Sequence, residues 1–369
     1  MSPAPSQRAR RLKYDDKNTS KLRPAELGDV PQMSALFSSV FRSRSKPKTK
    51  ALEAHMSEIL FTHPNYTPEN GSLVSVDETG ALKTILTIIP LTYRIGEETV
   101  IARLTCGFAT TPDANPRAAA AVFLSTRPKS DNILFTDSGA PIGIAHFKAI
   151  GGIELQVQAL RWYKMFRPLP ALISFLRIKL FDRFARLISR GQLPDNSLAK
   201  NVTTADGYSV AEATPAVFAE YATRYLARYV VAPVYDEAYV TWAVNASAGD
   251  DGRGKLMLAQ VRDKNGNVVG VFSVVGEMGG SAHILDLLYE DNAQGAVVDA
   301  ALLALERSGF TYACSQARPE IIRSLSRYSR IWYRYFTGIS ATPAPPRSRR
   351  RWRAAGPITA DWVEKAGHV

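Results

Sequence analysis

The stretch that decides the fold covers residues 101–124 and reads IARLTCGFATTPDANPRAAAAVFL. Residues 101–109 have the apolar and β-branched composition of a strand, and 110–116 are rich in turn formers. The alanine-rich run 117–124 favours a helix. This stretch therefore predicts a strand that leads through a short turn into a helix.

The first half of the chain surrounds this stretch with helices and antiparallel strands. Helical spacing of apolar residues predicts helices at 33–42 and 51–61. Strand patterns separated by turn residues predict two hairpins between residues 72 and 109. A short strand at 133–135 and a helix at 141–149, ended by Gly151 and Gly152, complete an α+β unit.

The second half repeats this order. A helix is predicted at 215–229, and strands are predicted at 238–244, 255–262, 268–275, 283–288 and 312–315. Helices at 296–308 and 319–328 follow the same order as in the first half. Two units of like order indicate an internal duplication. The predicted organisation is a disordered basic tail (1–21), an N-terminal domain (22–160), a basic linker helix (161–204), a C-terminal domain (205–340) and a basic C-terminal tail (341–369).

Composition and charge limit the class of protein. The 369 residues carry 46 Lys and Arg against 34 Asp and Glu, a net charge of +12, which favours an anionic partner. Cys106 and Cys314 lie too far apart in the sequence for a disulfide scaffold, and this favours a reduced, cytoplasmic setting. No run of apolar residues is long enough for a transmembrane helix. The five histidines show no metal-ligand spacing, so no metal is expected.

The order of elements resembles the GNAT acetyltransferase superfamily, in particular bacterial proteins with two such folds in tandem. The matching segments are 22–30 (LRPAELGDV), the strand pair around Gly80, 101–112, 235–242 (YDEAYVTW), 256–275 and 284–288. The resemblance implies an α+β class with two GNAT-like folds in tandem, each a mixed, mostly antiparallel sheet flanked by helices. It also implies an N-acyltransferase that uses acetyl-CoA or another acyl-CoA as co-substrate.

The resemblance places the diphosphate of coenzyme A on residues 115–120 (NPRAAA). The family motif has Gln or Arg, two residues, Gly, one residue, then Gly or Ala. Here Asn115 replaces the first residue, Ala118 replaces the glycine, and Pro116 removes one N–H donor. Arg117 could compensate through a charge-assisted contact with phosphate. The alternative is an ordinary capped helix whose alanines only permit close packing. The expected cofactor-binding residues are Phe108, Ala109, Thr110, Asn115, Arg117, Ala118, Ala119 and Ala120.

The groups that transfer protons in this family are missing from the first unit. Phe147 stands four residues before Gly151, where the family has a tyrosine acid, and 104–108 has no carboxylate base. Neighbouring His146 is more simply a surface or partly buried residue. The catalytic residues are therefore unknown, although direct attack by a bound amine needs little beyond positioning and deprotonation.

The second unit offers few further candidates. Residues 292–295 lie where its phosphate loop would fall, and only Gly295 matches the motif. Glu277 and Asp286 are expected to be solvated or hydrogen-bonded at strand ends. His283 precedes Asp286 by three residues, which in a strand puts the two on opposite faces. Cys106 is expected to be a small core residue.

Positive charge concentrates in two segments. Residues 171–190 form a predicted basic amphipathic helix, which suits either an anionic membrane surface or packing between the two folds. The run 347–353 (RSRRRWR) could contact phosphate or simply be solvated, and nucleic acid is an improbable partner without a recognised binding module.

The leading hypothesis is a cytoplasmic acyl-CoA-dependent N-acyltransferase that moves an acetyl or similar group to an amine, with a sugar amine as one acceptor that the resemblance suggests. The alternative is a catalytically degenerate GNAT-like binding or scaffold protein at the periphery of the inner membrane face. The acceptor, the role of the second domain and the oligomeric state do not follow from the sequence.

Overall fold

The computed structural model describes residues 21–41, 49–127, 132–156, 158–168, 198–199, 202–248, 254–276, 279–335 and 338–341. The predicted tails, apart from Lys21 and Ala341, and the predicted basic helix at 171–190 lie outside these residues. Within them the chain forms two mixed sheets, each flanked by helices. The predicted α+β class is thus confirmed.

The first sheet has the strand order β1-β2-β3-β4-β5-β16-β6, and β10 pairs with β3. β4 is antiparallel to β3 and parallel to β5, so the sheet is mixed. Its strands are β1 (Lys21–Pro24), β2 (Leu73–Val76), β3 (Leu82–Ile95), β4 (Glu98–Thr110), β5 (Asn132–Gly139), β6 (Ile153–Glu154), β10 (Val231–Pro233) and β16 (Gly338–Ala341).

The second sheet has the order β15-β7-β14-β13-β12-β11-β9-β8, again with one parallel pair, β13 and β14. Its strands are β7 (Leu160–Met165), β8 (Val202–Thr203), β9 (Ser209–Glu212), β11 (Lys255–Arg262), β12 (Val268–Gly276), β13 (Ser281–Tyr289), β14 (Tyr312–Gln316) and β15 (Ile331–Tyr335).

Helices cover both faces of each sheet, with α1 and α2 on one face of the first sheet and α3 and α4 on the other. In the second sheet, α5 and α6 cover one face and α7 and α8 the opposite face. The helices are α1 (Val30–Phe41), α2 (Thr49–Phe61), α3 (Pro116–Ser125), α4 (Pro141–Ala149), α5 (Pro215–Leu226), α6 (Glu237–Ala248), α7 (Gln294–Arg307) and α8 (Pro319–Leu325).

The two halves exchange equivalent strands. After edge strand β6 of the first sheet, the chain enters the second sheet as β7, between β14 and β15. After edge strand β15 of the second sheet, the chain returns to the first sheet as β16, between β5 and β6. The predicted linker at 161–204 therefore begins as a strand of the second sheet. Its first residues lie in β7, which pairs with β14 on one side and with β15 on the other. The predicted second domain likewise contributes β10 and β16 to the first sheet.

One secondary-structure prediction was wrong. Residues 238–244 were expected to be a strand, but they lie inside helix α6. Val240 and Ala243 from this helix are buried in the second fold. Tertiary packing of this face overrides the strand preference of its aromatic and β-branched residues.

Candidate functional site

Strands β4 and β5 separate partway along β4, the strand that leads to the predicted diphosphate site at residues 115–120. They pair in parallel from Ile101 and Asn132 to Leu104 and Phe135, and both strands then continue without pairing to each other. The side chain of Thr136 makes the last bridge, donating from Oγ1 to the Thr105 carbonyl oxygen at 3.1 Å. Beyond this bridge one edge of β4 pairs with no strand in the described part of the chain, and this gap in the pairing is called the opening.

A β-bulge lies at the narrow end of this opening. Thr87 pairs with Gly107 and Ile88 pairs with Thr105, so Cys106 is the extra residue of β4. A bulge breaks the ladder and turns the backbone of the bulged strand. Cys106 is half-buried against the core under α1 and α2, where the sequence had predicted a core residue.

The predicted residues Phe108, Ala109 and Thr110 form the open edge of β4. They pair on the other side with β3, so their backbone stays in strand geometry beside the opening. The ring of Phe108 packs at 5.9 Å from Phe123 of α3 and 5.6 Å from His146 of α4. These aromatic contacts join the two helices over one face of the first sheet.

The start of α3 is capped by its own sequence. Asn115 is the N-cap, and its side chain accepts a hydrogen bond from the Arg117 amide at 2.9 Å. Pro116 has no N–H, and the Ala119 amide donates to the Asn115 carbonyl oxygen at 3.0 Å. A diphosphate at this position would have to displace the Asn115 cap to reach the Arg117 amide. The assignment of residues 115–120 to cofactor binding stays a prediction.

The loop before α3 already holds an ion pair. Lys83 Nζ donates to Asp113 Oδ2 at 2.7 Å. This hydrogen bond lowers the pKa of the exposed Asp113 carboxyl below its usual value. Arg117 of the first helical turn is exposed beside this loop.

An aromatic cluster surrounds Phe147, which stands where the family has its tyrosine acid, and the neighbouring His146. Phe147 is only 2% exposed and lies 5.4 Å from Phe123, so nothing at this position can protonate a leaving thiolate. His146 is half-buried, and its buried Nδ1 has no hydrogen-bond partner among the described residues.

Two buried carboxylates face the contact between the folds. Asp137 follows Thr136 on β5 and is 2% exposed, and Asp286 lies on β13 and is 5% exposed. Tyr235 Oη donates to Asp286 Oδ1 at 2.9 Å, and Ser273 Oγ donates to Asp286 Oδ2 at 2.8 Å. Sequence reasoning placed Asp286 at a solvated or hydrogen-bonded strand end, and it is hydrogen-bonded but buried. It did not single out Asp137, for which the signal was an acid directly after the apolar strand ILFT.

The prediction that His283 and Asp286 lie on opposite faces of the strand was wrong, because an extra residue, Leu285, bulges between them. His283 lies opposite Val275 and Asp286 opposite Ser273, so both share one face of β13.

The Nε2 atom of His283 lies 2.9 Å from Ser281 Oγ, and its Nδ1 lies 2.9 Å from the buried Cys314 Sγ on the paired strand. Glu277, the other candidate carboxylate, lies outside the described residues. The described residues contain no group of three or more His, Cys, Asp or Glu that could hold a metal ion.

In the second fold, the equivalent gap between two strands is bridged by a side chain. β13 and β14 pair only as far as His283 and Cys314, and β13 carries a bulge at Leu285. Arg318 is the second of the two residues that link β14 to α8, and it donates from Nη2 to the Leu287 carbonyl oxygen of β13. Its Nη1 is buried with no partner in the described ranges. A guanidinium therefore bridges these two strands.

Matching the two bulges aligns the folds residue by residue. Phe108 in the first fold then corresponds to Leu287 in the second, since each lies two residues after its bulge. The strand register places Gly139, one residue before Ala140, at the position of Arg318, and both Ala140 and Arg318 directly precede the first proline of the following helix. Ala140 has no side chain long enough to cross to β4, so the opening of the first fold stays unbridged at this position.

The fold is shared with solved acyltransferase structures. An Enterococcus faecalis protein described as a probable N-acyltransferase aligns at 8% identity over 88% of this chain and 72% of its own, with a TM-score of 0.55. A GCN5-related N-acetyltransferase from Anabaena variabilis aligns at 13% identity over 87% and 72%, with a TM-score of 0.54. Saccharomyces cerevisiae N-myristoyltransferase with bound myristoyl-CoA aligns at 10% identity over 89% and 83%, with a TM-score of 0.51.

These likenesses define the class of fold: two GNAT-like α+β folds in tandem. The sequence matches no protein-family model and no curated protein sequence. Among the described helices, none has the length and apolar character needed to cross a membrane.

Proposed function

We propose that this protein is an acyl-CoA-dependent N-acyltransferase whose donor binds in the opening between β4 and β5. The observation that carries the proposal is the separation of these strands after Leu104 and Phe135, while β4 stays paired to β3 along its full length. A rigid strand edge beside an opening offers backbone donors and acceptors to an extended ligand. The GNAT-like fold of the structural neighbours supports the same class of reaction.

In this proposal the backbone of Phe108, Ala109 and Thr110 binds the pantetheine arm. Asn115, Ala118, Ala119 and Ala120 line the diphosphate site, where small side chains leave room, and Arg117 pairs with a phosphate. The thioester then reaches the bulge at Cys106. The acyl group is acetyl or a similarly small group, and the acceptor is an amine, with a sugar amine among those to be tested. The reaction takes place in the cytoplasm.

Isothermal titration with acetyl-CoA tests the donor site. Ala140→Arg should weaken binding at least tenfold, because an arginine here would bridge the opening as Arg318 does in the second fold. Ala140 is exposed with extended backbone, so the substitution is compatible with folding. Ala140→Ser is the matched control and should bind as the wild type does. Arg117→Glu should also weaken binding.

Two outcomes would refute the donor site. One is no binding of acetyl-CoA by the wild type at millimolar concentration. The other is equal affinity of the Ala140→Arg and Ala140→Ser variants.

The second candidate function is a catalytically degenerate binding or scaffold protein. The Asn115 cap on the Arg117 amide and the buried Phe147 in place of a proton donor favour it. In that case residues 171–190 would attach the protein to anionic membrane. Co-sedimentation with anionic liposomes at low and high salt tests this attachment, and a protein that never pellets at low salt does not attach.

A further inference from the structure

Buried polar groups from both folds meet on the side of the donor opening that faces the second fold. Tyr93 and Asp137 belong to the first sheet, and Tyr235 and Asp286 come from the second half of the chain. Pro233 of β10 pairs directly with Tyr93 of β3, which brings the following Tyr235 next to the first sheet. This segment therefore joins the two pairs of groups.

Tyr93 is aimed at this cluster and is left without a hydrogen bond. It is 2% exposed, and its hydroxyl is buried with no partner among the described residues. Burial raises the pKa of Tyr93 well above its usual value, and the charges of Tyr239, Asp286 and Asp137 raise it further. The hydroxyl therefore stays protonated, and the Tyr93 ring lies 5.6 Å from that of Phe135, two residues before Asp137 on β5. A buried hydroxyl without a partner is costly to the fold, and a bound ligand that accepts a hydrogen bond from it would remove that cost.

The fold itself does not require an acid at position 137. Asp137 lies two residues beyond Phe135, the last residue of β5 that pairs with β4. The equivalent residue of the second fold, two beyond Cys314, is Gln316. Gln316 is 8% exposed, so an uncharged amide fills the same buried place there. A buried carboxylate has a large desolvation cost, which favours a functional reason for the charge in the first fold.

We propose that Asp137, Tyr93 and the Asp286–Tyr235 pair form the acceptor subsite, and that it takes an aliphatic amine in its ammonium form. This assignment rests on the proposed acyltransferase function and names its class of acceptor. Paired carboxylates and aromatic rings are the groups that recognise an ammonium ion. A small cavity between the folds is lined by Thr92, Asp236 and Tyr239 among others, and the Tyr239 ring lies 5.8 Å from the ring of Tyr235.

The subsite also accounts for the protons of the reaction. Asp137 accepts one proton from the bound ammonium, and the free amine attacks the thioester carbonyl carbon. The N–C bond forms, the C–S bond breaks, and the second proton of the nitrogen goes to the leaving thiolate. Asp137 then releases its proton to solvent, so the products are the amide, coenzyme A as thiol and one proton.

Calorimetric titration of amines into the protein, alone and saturated with coenzyme A, tests the subsite. The probes are putrescine and glucosamine, which carry ammonium groups, and aniline, which is neutral at pH 7. Putrescine and glucosamine should bind, and Asp137→Asn should weaken them at least tenfold. Asp29→Asn is the matched control: Asp29 is also buried in the first fold, where it pairs with Arg23 at 2.6 Å near the start of α1 and is not part of the proposed subsite, so amine affinity should be retained.

Tyr93→Phe separates a binding role from a structural one. It removes a hydroxyl with no partner, so the melting temperature should stay the same or rise, while amine affinity should fall several-fold. The inference is overturned if aniline binds as well as putrescine, if neither ammonium probe binds, or if Asp137→Asn and Asp29→Asn bind alike. Failure of the proposed function would appear separately, as a wild type that does not bind acetyl-CoA.

Discussion

Mild acid should destabilise the protein through one buried histidine, His63. This residue is 3% exposed at the contact between the folds, where its ring lies 4.4 Å from Trp242 and 5.6 Å from Tyr239 of α6. Its Nδ1 accepts a hydrogen bond from the Asn65 amide at 3.0 Å, so the neutral ring fits the site. Burial lowers the pKa of His63 from 6.5 to about 4.

The sign of the effect follows from proton binding. Because the pKa is lower in the folded state, the unfolded chain takes up the proton first as the pH falls. The stability that neutral His63 permits is fully present above pH 6.5 and is lost between pH 6.5 and pH 4. Linkage gives a loss of about 1.4 kcal/mol at pH 5.5 and about 3 kcal/mol at pH 4.

Urea unfolding at pH 7.5, 5.5 and 4.5 measures this loss in the wild type and in two variants, His63→Gln and His63→Phe. Both substitutions remove the titrating group, so both should flatten the pH profile, even though Gln and Phe differ in absolute stability. Carboxylates elsewhere titrate in all three proteins and cancel in the difference. A variant whose stability falls with pH as steeply as that of the wild type would refute the reasoning.

Three further predictions concern stability. Gly270→Ala should cost about 1–3 kcal/mol, because a Cβ would lie 2.5 Å from a methyl group of Val297; thermal unfolding measures this, and adding Val297→Ala should recover part of it. Trp242→Phe should cost about 1 kcal/mol, because the indole Nε1 donates to Thr62 Oγ1 at 2.9 Å across the two folds; the cost should disappear in a Thr62→Val background. A chain that ends at residue 335 loses β16 and should melt several degrees lower, in one transition, than a chain that ends at residue 341.

The sequence predicted local structure well where short-range signals were strong. Asn115 followed by Pro116 marks the start of α3, and the structure has this cap and this proline at these positions. The error at 238–244 had a short-range signal too, since Asp236 Oδ1 accepts from the Tyr239 amide at 2.7 Å and caps α6. Strand preference over the next residues outweighed that single capping residue in the prediction.

The candidate site was less predictable because non-local contacts build it. Residues 160–165 alternate like any short strand, and nothing in them says which sheet they join. Asp137 and Asp286 are 149 positions apart in the chain, and each alone reads as an ordinary acid near a strand end. Both carboxylates raise the pKa of Tyr93. This effect depends on how the two folds pack, which no local residue pattern encodes.

Each half of this duplicated fold supplies one strand to the sheet of the other half. A protein with a single donor opening therefore still needs both halves. β16 completes the first sheet beside β5, the strand that carries Asp137. β7 completes the second sheet beside β14, which leads to Arg318. Each half therefore depends on the other for the strand next to its opening.

With Arg318 bridging the second opening, that fold is free to contribute Tyr235 and Asp286 to the contact between the folds instead of a second donor site. Calorimetric titration of the wild type should then give one acetyl-CoA per chain, and two sites of equal affinity would contradict this division of roles.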